Sequence, residues 1–236
     1  MRFDTPLVKG TLIRRYKRFL ADIRLDNGET LTAHTPNTGA MLGCAEPGST
    51  VWLKNTANPK RKYPFSWELV QTPSGSLVGV NTLLSNYLAK EAVENGTVDS
   101  CQGYGRIRTE VKYGRQNSRI DLLLDDHPRH ADCYLEVKNV TLAEHSIGYF
   151  PDAVSIRASK HLQELIYMVS EGFRAIIFFC VQRQDVEEVR PADHIDKNYG
   201  QLLRQAAQIG VELLAYRAQV SPCAVKLTDP LPVVIA

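Results

Sequence analysis

The chain has 236 residues, 44% hydrophobic and 23% charged, with 28 basic against 26 acidic side chains. That balance describes a globular chain able to build one large core or two modest ones, and it excludes disorder. Apolar runs such as residues 175–181 have strand length, far below the roughly 20 residues of a membrane-crossing helix, and no apolar leader follows Met1. A cytoplasmic protein without a membrane partner is expected. The five cysteines are scattered and form no C-x-x-C pair, which points to reduced thiols. Charge is uneven along the chain: residues 1–80 carry 11 basic and 6 acidic side chains, and residues 81–236 carry 17 and 20. A basic N-terminal part suits a polyanionic partner.

Residues 7–80 read as short strands at 7–13, 16–25, 29–33, 50–54 and 67–71 between Pro-, Asn- and Gly-rich loops. Asn27-Gly28 predicts a type I′ hairpin turn, and Phe19, Ala21, Ile23 and Leu25 alternate to make one buried face. Strands this short, with the basic clusters Arg14, Arg15, Lys17, Arg18 and Lys60, Arg61, Lys62, predict a small OB-like β-barrel that binds nucleic acid, with Tyr16 available for stacking. Beyond residue 80 the period changes. Helices are predicted at 82–95, 152–171 and 198–209, and strands at 106–113, 119–124, 133–140, 175–181 and 211–216, in the order αβββαβαβ. The chain is therefore read as α/β (α+β), with a barrel domain over 1–80 and a second domain over 81–236.

The chemistry concentrates in Asp121 and the pair Glu136 and Lys138, which make D-x14-E-x-K across two neighbouring strands. Period-two alternation puts Glu136 and Lys138 on one face, with Leu135 and Val137 on the other. Two carboxylates converging from adjacent strands form a hard-oxygen site suited to Mg²⁺. The lysine could orient or help deprotonate an attacking water and neutralise charge on a phosphate. Glu110-Val-Lys112 with Asp99 is a second match to the pattern. Asp99 lies in a polar loop, however, and Asp121 in an apolar strand, which favours the first set. His127 and His130 have a metal-like spacing but read as a solvated turn. Residues 36–39 read equally as a phosphate cradle or an ordinary loop.

This arrangement resembles the PD-(D/E)XK nuclease superfamily over residues 82–182, whose core is αβββαβ. The resemblance implies a restriction-endonuclease-like C-terminal domain, with Asp121, Glu136 and the Val137 backbone carbonyl holding Mg²⁺ or Mn²⁺, Lys138 as catalytic lysine, and either Glu110 or Glu91 as a further carboxylate. Gln163 and Tyr167 look like the Q-x-x-x-Y element of RecB-type members, and Arg157, Lys160 and Gln163 are expected to contact DNA. End to end, the chain is similar to the bacterial sugar-fermentation-stimulation protein A (SfsA) family. The similarity is carried by Leu12-Ile-Arg-Arg-Tyr-Lys-Arg-Phe-Leu-Ala-Asp22, His34-Thr-Pro-Asn-Thr-Gly-Ala-Met41, Glu110-Val-Lys-Tyr-Gly114, Cys133-Tyr-Leu-Glu-Val-Lys138 and Gly148-Tyr-Phe-Pro-Asp-Ala-Val154. It implies non-specific DNA binding and a regulatory link to sugar, especially maltose, metabolism. The expected function is a DNA-binding protein with a Mg²⁺-dependent phosphodiesterase site. The alternative is a non-catalytic DNA-binding regulator that reuses a nuclease-like fold. A third reading makes Glu136 and Lys138 a plain ion pair on a solvated sheet face. The oligomeric state is left open.

Overall fold

The computed structural model describes residues 1–58 and 60–236. The N-terminal part contains strands β1 (Val8–Tyr16), β2 (Leu20–Leu25), β3 (Thr30–His34), β4 (Thr50–Asn55), β5 (Phe65–Gln71) and β6 (Leu77–Gly79). They hydrogen-bond in the order β3-β2-β1-β4-β5-β6, and β3 also meets β5 at His34 and Ser66, which closes the first five into an OB barrel. Leu12, Ala21, Ile23, Ala33, Val51, Leu53 and Trp67 fill it, and the buried Trp67 indole N–H is satisfied by the Leu69 carbonyl at 2.9 Å.

Two local expectations fail here. The strand predicted over 16–25 is broken at 17–19, where Lys17 (φ 50°) and Arg18 (φ 64°) turn the chain back on β1. Phe19 therefore sits on a turn and is 47% exposed instead of joining Ala21 and Ile23 inside. The turn at Asn27-Gly28 is not type I′, because only Gly28 (φ 86°) has positive φ. The Gly28 N–H closes onto the Leu25 carbonyl at 2.9 Å, so a type I-like turn ends in a left-handed glycine.

The C-terminal part runs α1 (Leu83–Glu94), β7 (Arg106–Tyr113), β8 (Ser118–Asp125), β9 (Cys133–Val140), β10 (Leu142–Glu144), β11 (Ile147–Phe150), α2 (Ile156–Ser170), β12 (Arg174–Val181), β13 (Glu188–Pro191), α3 (Lys197–Ile209), β14 (Glu212–Val220) and β15 (Val225–Leu231). Its main sheet has the order β15-β14-β12-β9-β8-β7, with β9, β12 and β14 parallel and β7, β8 and β9 antiparallel. Leu88, Ala92 and Val93 of α1 pack on one face against Leu122, Leu135 and Phe178. Leu162 and Leu165 of α2 and Leu203 of α3 cover the other, against Ile177 and Phe179. This is the expected αβββαβαβ core. Strands β10, β11, β13 and β15 are additions that the sequence pattern did not reveal. Helix α2 begins at Ile156 and not at 152, because Ser155 is its N-cap, its hydroxyl accepting from the Ala158 N–H at 3.1 Å. The residues before it, 151–155, become a wall of the groove described below.

The five cysteines are free, and four of them are buried. Among the described residues, no helix is long and apolar enough to cross a membrane.

Candidate active site in an interdomain groove

Strands β8 and β9 pair from Leu124 opposite Cys133 to Leu122 opposite Leu135, where the backbone ladder ends. At that point the Asp121 side chain takes over the role of a backbone acceptor. Its Oδ2 accepts the Val137 N–H at 2.7 Å, and its Oδ1 accepts the Asn86 amide of α1 at 2.6 Å. Glu136, only 2% exposed, lies in the next strand. Its Oε1 accepts the Lys138 ammonium at 2.7 Å and is also joined to His161 Nδ1 of α2. The Lys138 ammonium is itself 3.2 Å from that ring nitrogen. The other Glu136 oxygen, Oε2, is buried without a partner. Glu136 and Lys138 thus share the α2 face of the sheet as alternation required, and Asp121 arrives beside them. The buried position of Glu136 and Lys138 removes the solvated-face ion pair as a description of this site.

Burial, followed by the Glu136 carboxylate, pushes the Asp121 carboxyl up to about 7. Burial also opposes ionisation of Glu136, but Lys138 and His161 together outweigh it and hold that carboxyl below its ordinary value. The geometry therefore separates two neighbouring carboxyls, one readily ionised and one that holds its proton near neutrality. Glu110 falls between the pairs Thr109–Leu122 and Val111–Ile120, directly opposite Asp121, and has the left-handed φ of 55°. A glutamate in that conformation inside a strand is strained, and such strain clusters at functional sites. Among the described residues, no three of His, Cys, Asp and Glu come together as a ready-made metal cluster.

These residues lie on the floor of a groove with three successive chambers. The first, of about 590 Å³, is walled by the barrel loop Asn37 to Ala40, by the start of α1 and by Pro151 to Ser155, with Lys138 and Asn139 below. The second, of about 710 Å³, shares Thr38, Asn86 and Lys138 with the first and holds Asp121, Glu136, Glu110, Lys90 and Arg157. The third, of about 630 Å³, shares Glu110, Asp121 and Arg157 with the second and adds Arg119, Lys160 and His161. The barrel loop is bolted to the C-terminal part. Met41 N–H reaches Asp152 at 2.8 Å, and the Thr82 hydroxyl reaches the Pro36 carbonyl at 2.6 Å. A Cβ on Gly39 would stand 2.4 Å from Asp152 Oδ1, so only glycine allows this approach.

The remaining predicted site residues divide. Arg157 and Lys160 line the groove, although Lys160 also holds the Gln116 carbonyl at 2.6 Å. Glu91 does not line it: it faces away on α1 and binds the Met1 ammonium at 2.6 Å. Gln163 is exposed and outside the groove, and Tyr167 lies under the Arg115 guanidinium at 4.0 Å, so the Q-x-x-x-Y element takes no part in the site. Arg14 is paired with Asp22 at 2.8 Å, and the Tyr16 hydroxyl donates to the same carboxylate at 3.1 Å. Arg15 is spent on the barrel loop, donating to the Asn37, Gly39 and Ala40 carbonyls. Of that cluster Arg14, Lys17 and Arg18 remain exposed, Arg14 while paired with Asp22, and Arg18 borders the first chamber. Lys60, Arg61 and Lys62 are exposed on a barrel loop away from the groove. Residues 36–39 are not an open phosphate cradle, because the Gly39 N–H is already taken by Asn37 Oδ1 at 2.8 Å. His127 Nδ1 accepts the N–H groups of Arg129 and His130, which makes it a turn-former, and among the described residues it joins no metal-binding cluster.

Asn86 and His161 were missed in the sequence. Asn86 is a polar, poor helix former in the first turn of α1 beside apolar neighbours, which was its one available signal. His161 was hidden in the apolar stripe of α2.

A strand-splayed carboxylate pair beside a lysine, on a mixed sheet flanked by helices and joined to an OB barrel, defines a restriction-endonuclease-like protein. Comparison with known proteins agrees. Residues 83–224 match the family described as the sugar fermentation stimulation protein RE domain, and residues 13–80 match the SfsA N-terminal OB domain. A sugar fermentation stimulation protein homolog of Geobacter metallireducens is 56% identical over 235 residues, covering 100% of both chains. The solved structure of Pyrococcus furiosus SfsA in complex with Ca²⁺ superposes with a TM-score of 0.90 over 99% of this chain and 98% of that one, at 24% identity. The chain belongs to the SfsA family.

Proposed function

We propose that the protein binds DNA without sequence preference and hydrolyses its phosphodiester bonds with the help of a divalent cation, Mg²⁺ or Mn²⁺. The observation that carries this reading is the meeting of Asp121 and Glu136 on the groove floor with Glu136 Oε2 buried and unpartnered. Two carboxylates so placed oppose each other's ionisation, and a hard divalent cation is the group that satisfies both. Asp121, Glu136 and the Val137 carbonyl would hold it. A strand residue directs N–H and C=O to the same edge, and the Val137 N–H already points at Asp121. Glu110, opposite Asp121, is a further oxygen donor. The Ca²⁺ bound by the Pyrococcus furiosus relative, an oxygen-seeking divalent ion, supports the same reading.

When bound, the cation supplies Lewis-acid polarisation of a phosphate oxygen. The protein's own groups do the rest. Asn86 and the Val137 N–H hold Asp121 in one orientation. Glu136 and His161 hold the Lys138 ammonium at the floor, where it can neutralise charge developing on the phosphate. Lys90, Arg157 and Lys160 along the walls position phosphates without reading bases. A link to sugar metabolism, from which the relatives take their name, would then act through DNA and not through a bound sugar.

One observation favours the second reading, binding without cleavage: Lys138 and His161 both occupy Glu136 Oε1, which leaves only Oε2 for a cation. The deciding experiment incubates single- and double-stranded DNA with wild type, Asp121→Ala and Lys138→Ala in Mg²⁺ or Mn²⁺, with binding measured in parallel. Metal-dependent cleavage lost in both variants is the expected result. Binding that survives both substitutions, without cleavage and falling steeply with salt, would overturn the catalytic reading.

A further inference from the structure

The groove has an unusual rim. Leu83 is 71% exposed, Tyr87 55%, Val154 72% and Ile156 86%, and these are half of the large apolar side chains that stand exposed among the described residues. Leu83 and Tyr87 lie one helical turn apart on α1 and border the chamber that holds Asp121 and Glu136. Val154 borders the first chamber and Ile156 the third, so the opposite wall carries the same character. Lys90, one further turn along α1, and Arg157, next to Ile156, place cations between these apolar groups. Scattered exposed apolar residues need no explanation. Four that converge on one groove beside cations mark a binding surface for something both apolar and anionic.

A paired duplex does not offer that combination, since its base faces are stacked inward and only phosphates and groove edges point out. An unpaired strand offers both, with π faces free to stack on aromatic and aliphatic side chains while its phosphates meet lysine and arginine. The shape of the groove agrees. Its first chamber is closed by the barrel loop, which is tied to both α1 and the 151–155 segment, so a chain reaching it must be narrow.

We propose that the groove takes a single-stranded segment of nucleic acid, with a base stacked on Tyr87, Leu83 and Ile156 wedged against its neighbours, and the backbone running past Lys90 and Arg157 over the acidic pair. This rests on the reading of the site as one for nucleic acid, and names the form of strand it accepts.

The test is fluorescence anisotropy with a labelled oligo-dT of about 20 nucleotides and a blunt hairpin duplex of similar length. It is run in Ca²⁺ with the full-length Asp121→Asn protein, so that binding is read without cleavage. Oligo-dT is expected to bind roughly tenfold or more tightly than the duplex. Adding Tyr87→Ala should weaken oligo-dT binding roughly tenfold, the loss of one base stack, while Tyr87→Phe keeps it. Tyr87 is exposed, so these variants fold. Equal or tighter duplex binding, or oligo-dT binding unmoved by both Tyr87→Ala and Leu83→Ala, would overturn the inference. So would a change of oligomeric state in Leu83→Ala on gel filtration, which would make the rim a protein interface. No binding of either probe at low salt would end this inference and the proposed function together. Oligo-dT binding with the expected pattern, but no cleavage by wild type in Mg²⁺ or Mn²⁺, would end only the phosphodiesterase reading.

Discussion

The carboxyl of Asp121 offers a quantitative test of the site through Asp121→Asn in metal-free protein. Burial and Glu136 raise this group from its ordinary 3.8 to about 7, which corresponds to about 4 kcal/mol once it is ionised. Relaxation and water entry reduce the effective cost to about 2 kcal/mol. The sign follows from proton binding. Between about pH 4 and pH 7 the folded protein holds a proton that the unfolded chain has lost, so stability falls as pH rises through that window, and the whole cost is present above about pH 7. An asparagine carries no such cost. Its carbonyl can still accept the Val137 N–H, and an amide flip of Asn86 restores the other hydrogen bond. The variant should therefore gain on wild type by about 1 to 2 kcal/mol between about pH 5 and pH 8, or roughly 3 to 6 °C in thermal melts with a chelator present. Added Mg²⁺ or Ca²⁺ should raise the melting temperature of wild type at about pH 8 and leave the variant unmoved. A difference between the two proteins that stays constant with pH, or equal metal shifts in both, would refute the claim that the two carboxyls compete.

Three further outcomes follow from contacts outside that pair. Burial raises the Glu68 carboxyl, with Asn81 donating to it at 2.7 Å. The folded protein again binds the proton more tightly, so Glu68→Gln should be more stable than wild type above the raised value and equal to it in acid, as read by urea melts at two pH values. Arg15→Ala releases the Asn37, Gly39 and Ala40 carbonyls. It should cost on the order of 2 kcal/mol and expose residues 37–42 to limited proteolysis; unchanged digestion there would show that the loop is held by other contacts. Gly39→Ala drives a methyl into Asp152, so it should lower the melting temperature more than Asp152→Ala, which forfeits only the Met41 hydrogen bond, worth about 1 kcal/mol.

Where the chain's own chemistry acts over short range, the sequence was legible. Alternation put Glu136 and Lys138 on one sheet face, and the apolar setting of Asp121 distinguished it from Asp99. Turns were harder to read. Asn27-Gly28 carries the usual type I′ signature and does not form that turn, whereas His145 (φ 47°) and Ser146 (φ 66°) both adopt positive φ between β10 and β11 without any glycine. That second turn joins the antiparallel pair β10 and β11, and local preference does not reveal it. Strand β15 was hidden for a related reason. Pro230 is a poor strand residue by itself and is tolerated because β15 is the sheet edge.

The sequence by itself determined the class of the fold, the order of its core elements and the acidic and basic groups able to do phosphate chemistry, because each depends on periodicity or on residue type along a short stretch. Only the tertiary structure decided which of those groups meet. Glu110 faces the groove and Glu91 does not, because strand register sets the first and the docking of the N-terminal segment on α1 sets the second. Arg15 looks like a DNA-binding cation in the chain and serves as a strut in the fold, because a guanidinium near uncapped loop carbonyls is drawn into local hydrogen bonds, whereas Arg14 pairs with Asp22 and stays exposed. Asn86 reaches the site from 35 residues away on the other face of the sheet, His161 from 25 residues away on α2, and the barrel loop from the N-terminal part, and no pattern along one strand or helix encodes that convergence.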